Sequence, residues 1–189
     1  VIFAFSTSSR LASVAIVSPD GNLIWSGDVD APQAASGACM RLLEEAKAST
    51  GIDVDRATLY VADIGPGSFT GVRVGIVLAK TFGYLNGKPC AGVTAFDLVD
   101  PSGVVILPSK RAEVFVRVPG EEPVRSSILP RPPFRGNGLP MDAPEFPHAK
   151  NVAALLDRLN PVEADRFVPS YLIEPSISVP KRPISGVNC

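Results

Sequence analysis

Histidine is almost missing from this 189-residue chain, where His148 is the only one. Zinc hydrolases, most metal centres and the usual hydrolytic triads draw on histidine, commonly on two or more, so composition excludes a His-based metallopeptidase. His148 follows the proline-interrupted stretch Pro144–Pro147 and reads as a surface or helix-start residue. Cysteine is scarce as well. Cys39, Cys90 and Cys189 are odd in number and never form Cys-x-x-Cys, which fits a reducing cytosol and no disulfide framework or zinc site. Neither sign of charge dominates: 18 Lys and Arg face 19 Asp and Glu, for a formal net charge of −1. Such a chain lacks the basic footprint of a stand-alone nucleic-acid binder, so any RNA is expected to be held mainly by something else. Long apolar runs are absent, and no membrane-spanning helix is expected. No basic start leads into an apolar stretch with a small-residue cleavage site, so a secretory signal is not expected and the chain is read as cytoplasmic.

What is present is unevenly distributed. Four of the 19 prolines precede residue 101, and the other 15 follow. Proline is poorly tolerated inside helices and central strands, so residues 1–100 are expected to form a regular lobe and residues 101–189 a smaller, irregular one. Val1–Phe5 reads as a buried strand, Leu11–Val17 as a second, and Leu23–Trp25 as a third after the turn Ser18–Gly21. Helical spacing of Ala35, Ala38, Cys39, Leu42, Leu43 and Ala46 predicts a helix over 34–50, stopped at Gly51. Leu59–Ala62 is a strand, residues 70–86 a second helix, and Cys90–Val93 a short strand. The order βββαβαβ with a parallel return defines an α/β chain matching one half of an actin/Hsp70-like fold. Beyond it, Val104–Leu107 and Glu113–Val118 read as a hairpin around Pro108–Arg111, with a weak strand at Val124–Leu129 and loop over Pro130–Pro147. Val152, Leu155, Leu156 and Leu159 predict one amphipathic helix ending near Pro161, and the tail from Pro175 reads as extended.

Gly65, Gly67, Gly71 and Gly75 lie between a strand and a helix. Such a junction aims backbone N–H groups and the positive end of the helix dipole at one point, which suits phosphate. Ser68 or Thr70 can cap the helix or contact a phosphate oxygen. The spacing is neither a Walker loop, since no Lys follows, nor a dinucleotide fingerprint, so a tight structural turn fits equally.

The string GPGSFTGVRVG from Gly65 to Gly75 closely resembles the signature of the TsaB (YeaZ) family. Phe5–Ser9, Ala12–Ile16, Ala112–Phe115 and Val168–Leu172 line up with that family in order, so the resemblance covers most of the chain. It implies an actin/Hsp70-like (ASKHA, ribonuclease H-like) fold with a truncated C-terminal lobe. It also implies a non-catalytic accessory subunit that organises a TsaD-like transferase, with a TsaE-like ATPase as third component. That machinery makes N6-threonylcarbamoyladenosine beside the anticodon of tRNA, and tRNA would be reached only through the complex. Three departures stand out: Ser6 occupies the usual Asp position of the first strand, Pro108–Arg111 replaces an often acidic hairpin start, and Ile173 replaces an Arg. In actin-like phosphotransferases that Asp helps organise metal and water at the phosphates, so its replacement points away from independent ATP hydrolysis. The transferase's His-x-x-x-His metal pair cannot be built from one histidine. No catalytic residue, metal or required cofactor is therefore expected; any ATP or ADP is placed at a boundary with partners.

The second helix is apolar around most of its circumference through Val72, Val74, Ile76, Val77, Leu78, Phe82 and Leu85, with a narrow polar stripe of Arg73 and Lys80. Gly71, Gly75, Ala79 and Gly83 repeat every four residues, a small-residue ridge that admits another helix or this chain's own sheet. Shared with Cys39, Leu42, Leu43 and Ala46 of the first helix, it predicts an interface for a homodimer or, in competition, the transferase. Asp28–Asp30 and Asp53–Asp55 read as solvated turns, and Pro130–Arg135 as a linker, a partner-binding polyproline segment or a basic contact to tRNA. Two other activities remain open: a small nucleotide-dependent phosphotransferase using the glycine loop and, least favoured, a glycoprotease-like peptidase.

Overall fold

A computed structural model describes residues 1–110 and 112–168. The first sheet is built from β1 (Ile2–Ser6), β2 (Leu11–Val17), β3 (Leu23–Asp30), β4 (Leu59–Asp63) and β5 (Cys90–Val93), in the order β3-β2-β1-β4-β5. β1 and β2 pair antiparallel from Ile2↔Val17 to Ser6↔Ser13, while β1, β4 and β5 run parallel. All five residues of β1 are buried, as a strand covered on both faces must be.

The strand alternation divides those residues between two layers. Phe3 and Phe5 of β1, Val14 and Ile16 of β2 and Tyr60 of β4 enter one cluster with helices α1 (Ala35–Thr50) and α2 (Phe69–Asn86). Phe82 of α2 stacks between Phe5 and Tyr60, with ring centroids 6.2 and 6.0 Å away. Burying one such aromatic contributes about 1.5–3 kcal/mol. Both helices stop at a glycine in the left-handed region, Gly51 at φ 72° and Gly87 at φ 60°. On the opposite face, Ile2, Ala4, Ala15, Val17 and Val61 pack against Ala149, Val152 and Leu155. Residues 148–167, which proline content groups with the second half, thus return to the first sheet.

The second sheet has the order β8-β7-β6-β9, from β6 (Val105–Pro108), β7 (Val114–Arg117), β8 (Val124–Ser126) and β9 (Arg135–Gly136). The expected hairpin is β6–β7, paired from Val105↔Arg117 to Pro108↔Val114. Two expectations change. The proline-rich segment is not all loop, because Arg135–Gly136 joins β6 in parallel. The amphipathic helix around Val152–Leu159 is instead a pair of 3-10 turns, Ala149–Ala154 and Leu156–Arg158. Val152 and Leu155, the two most buried of its apolar residues, are three apart, the 3-10 period, and Leu155 at φ −124°, ψ 9° interrupts any α-helical run. Arg111, the Val168–Leu172 match beyond Val168, Ile173, the Pro175 tail and Cys189 lie outside the described residues.

Candidate functional site

The glycine junction connects β4 to α2. Ser68 is the N-cap, its Oγ accepting from the Gly71 N–H at 3.2 Å; Thr70 does not cap. Other donors of the junction are also committed: Gly65 N–H to Asp63 Oδ1, Ser68 N–H to the Ser8 carbonyl and Val72 N–H to the Ser68 carbonyl. Gly67, Ser68 and Thr70 are exposed, while Gly65 and Gly71 are buried.

The glycines are explained by close approach to the β1–β2 turn. A Cβ on Gly67 would lie 2.2 Å from the Ser8 carbonyl oxygen, and one on Gly71 2.0 Å from that of Thr7. Thr7 Oγ1 donates in turn to the Gly71 carbonyl at 2.8 Å, binding the helix start to the turn. The ridge continues the same packing. A Cβ on Gly75 would meet Thr7 Oγ1 at 2.7 Å, Ala79 is fully buried, and Gly83 faces Cys90 Sγ and Ala164. The expectation that Gly75, Ala79 and Gly83 face another subunit is therefore corrected: they face this chain's own sheet and its return segment. Cys39, Leu42, Leu43 and Ala46 are corrected likewise, since all four are buried in the core that α1 shares with β2 and β3. Burial pushes the Cys39 thiol up to about 12 and the Cys90 thiol to about 11, leaving little thiolate at neutral pH. Lys80 Nζ donates to the Asp165 and Phe167 carbonyls at 2.9 and 3.2 Å, an intramolecular staple. Of the expected interface residues only Arg73 is exposed, its guanidinium 3.9 Å above the Phe69 ring.

Asp63 escaped the sequence reading. It closes β4 immediately before the glycine loop and is fully buried. Ser6 Oγ donates to its Oδ2 at 2.8 Å and lies 3.2 Å from the Pro147 carbonyl oxygen. The carboxylate expected on β1 thus has a neighbour on β4 instead, with Ser6 supplying its hydrogen bond. Burial pushes the Asp63 carboxyl above the usual range, and the Gly65 and Ser6 hydrogen bonds offset part of that. A carboxyl with a raised folded pKa stabilises the fold most below its unfolded value, about 4, and that contribution is lost as pH climbs through the folded value. Melting midpoints measured upward from about pH 4 should therefore fall in part through Asp63, and Asp63→Asn should remove that part. Asp63→Ala should cost about 1–3 kcal/mol throughout, because it strands buried donors. Equal pH slopes in Asp63→Asn and the parent would contradict this role.

His148 is a helix-start residue but a buried one. Its Nδ1 accepts from the Lys150 N–H at 3.0 Å, which leaves Nε2–H to donate to Asp28 Oδ1 at 3.2 Å. Burial holds the imidazole below its usual range, only partly countered by Asp28. Asp28 and Asp30 sit on β3 rather than in a turn, and Asp30 pairs with Arg10. Asp53 caps a short 3-10 turn and pairs with Lys47. Among the described residues no group of three or more His, Cys, Asp or Glu side chains is placed to hold a metal ion. No described helix is long and apolar enough to cross a membrane.

The outer faces of the two helices carry one part of the exposed apolar surface, alongside Leu23 and Ile24 of β3 and Val124, Ile128 and Leu129 in and after β8. Val77, Tyr84 and Leu85 of α2 are 58%, 75% and 71% exposed, and Met40 of α1 is also exposed.

The five-stranded sheet with its parallel return, two helices on one face and a second smaller sheet make up an actin-like α/β fold. A family model described as tRNA N6-adenosine threonylcarbamoyltransferase (TsaD) matches residues 30–99. YeaZ from Pseudomonas aeruginosa superposes with a TM-score of 0.75 at 20% identity, over 90% of this chain and 99% of that one. A Pseudomonas aeruginosa protein described as similar to the peptidase YEAZ gives 0.77 at 19% identity, over 91% and 99%. No curated protein matches the sequence. The family model covers well under half of the chain, and the two structural matches, at 19–20% identity, show a shared fold.

Proposed function

We propose that this chain is a non-catalytic accessory subunit that binds and organises a TsaD-like transferase during threonylcarbamoyl modification of tRNA adenosine beside the anticodon. The observation carrying the proposal is the apolar outer face of α1 and α2, formed by Met40, Val77, Tyr84 and Leu85 inside the segment that the TsaD model matches. Large apolar side chains this exposed on adjacent elements suit a protein partner better than water. The glycine motif then serves the docking surface indirectly, by fixing α2 against Thr7 and Ser8. The partners in this reading are the transferase, a TsaE-like ATPase and a second copy of the chain competing for the same face, in the cytoplasm. Nucleotide, if ATP or ADP is held, belongs at the boundary with a partner.

Capture of the full chain from its native cells should recover a TsaD-like protein as the main specific partner, identified by mass spectrometry. Recovery of the chain without any such protein, under conditions that preserve the complex in a related system, would count against the proposal.

A further inference from the structure

The two sheets are joined by two crossings of the chain, one outgoing over residues 94–104 and one returning over 137–148. Three arginines converge there from three elements. Arg117 of β7 donates to the Asp100 and Pro101 carbonyls and pairs with Asp97 at 3.4 Å. Arg158, in the returning 3-10 turns, donates to the Pro101 carbonyl at 3.2 Å. Arg135 of β9 spans both crossings, with Asp100 of the outgoing and Glu145 of the returning chain each 3.6 Å away. Those two separations exceed hydrogen-bond length, so the guanidinium is attracted without being saturated. Its side chain is 59% exposed.

Beside this bridge lies a cavity of about 500 Å³. Its apolar wall comes from Leu11, Val99, Phe146 and Ala154, and its charged lining is Arg135 and Lys150 with Asp100 and Glu145. Among the acceptors around it, Asp100 Oδ1 takes the Ser102 and Gly103 N–H groups and His148 Nδ1 takes the Lys150 N–H, while Glu145 has only its loose pairing with Arg135. Of the donors, Arg135 has loose partners only, and among the described residues Lys150 Nζ has no hydrogen-bond or ion-pair partner. Spare cationic donors facing an apolar wall favour a ligand with an anionic head and an apolar body.

We propose that this cavity between the lobes binds a small organic anion, a carboxylate or phosphate monoester with an apolar body, through Arg135 and Lys150. A bound anion competes with Asp100 and Glu145 for Arg135, so occupancy loosens the bridge between the two crossings. This site is separate from the outer helix face, and its test uses the chain without any partner.

The test is calorimetric titration of the full chain with phenyl phosphate, benzoate and the neutral analogue benzyl alcohol. The expected result is saturable binding of at least one anion and none of benzyl alcohol, with the stronger anion identifying the head group. Lys150→Gln, which breaks no hydrogen bond or ion pair of that side chain among the described residues, should weaken binding about tenfold or more, and Arg135→Gln at least as much. If Arg135→Gln fails to fold, Lys150→Gln decides alone. Absence of saturable anion binding in the millimolar range, equal binding of benzyl alcohol, or unchanged binding in Lys150→Gln would overturn the proposal.

Discussion

Gly71→Val should leave no cooperatively folded protein. The new Cβ would sit 2.0 Å from the Thr7 carbonyl oxygen, a backbone atom with no rotamer to escape through. Relief would require moving the start of α2 off the β1–β2 turn, and with it the Thr7 Oγ1 hydrogen bond to the Gly71 carbonyl. Overpacking ordinarily costs about 1–3 kcal/mol where side chains can shift; against fixed backbone the cost should exceed about 4 kcal/mol, a large part of a small protein's stability. Gly37 is the internal control. It lies in the exposed first turn of α1, and a Cβ there meets nothing within 4 Å. Gly37→Ala should therefore leave stability unchanged or raise it by up to about 0.5 kcal/mol. Circular dichroism and thermal melting of both variants report the contrast. A Gly71→Val chain melting within a few degrees of the parent would remove the close-packing account of the motif.

Val77→Asp combined with Leu85→Asp should have the opposite character. Both side chains are mostly exposed, so the monomer melt should change by no more than about 0.5 kcal/mol each. A charge placed in the apolar centre of a protein interface costs several kcal/mol, so association with the transferase should weaken at least about a hundredfold. Ala79→Leu sharpens the comparison. Ala79 is fully buried and its carbonyl receives the Cys90 thiol, so enlarging it should cost about 1–3 kcal/mol of folding stability. Sedimentation with the partner, alongside melting, distinguishes the two surfaces. Unimpaired association of the double aspartate variant would show that the partner docks elsewhere.

The element order βββαβαβ of the first lobe could be read from the chain because its causes are local. Apolar runs the length of strands, a turn at Ser18–Gly21 and helical spacing from Ala35 onward each specify one element, and right-handed parallel return does the rest. The ridge of Gly71, Gly75, Ala79 and Gly83 was equally visible, but its period says only that something approaches closely. What approaches is Thr7, Cys90 and Ala164, residues of other elements, which the helical period does not contain. The same ambiguity misled the reading of Val152 and Leu155, whose spacing suits a 3-10 turn as well as an α-helix. Asp63 went unread because a lone acid at a strand end is ordinary in sequence. The available signal was its position two residues before Gly65, where a carboxylate reaches forward and accepts from the glycine N–H. The interlobe cavity had no sequence signature at all, since Leu11, Val99, Arg135 and Lys150 come from four separate stretches.

The central claim is that this chain supports a transferase without performing the chemistry. The direct measurement is formation of threonylcarbamoyladenosine on tRNA by a purified TsaD-like transferase and TsaE-like ATPase, with the threonylcarbamoyl donor supplied, in the presence and absence of this chain. Modification should require the chain, should be lost with the Val77→Asp, Leu85→Asp variant, and should not occur with the chain alone. Full modification without the chain, or modification by the chain in the absence of the transferase, would contradict the account.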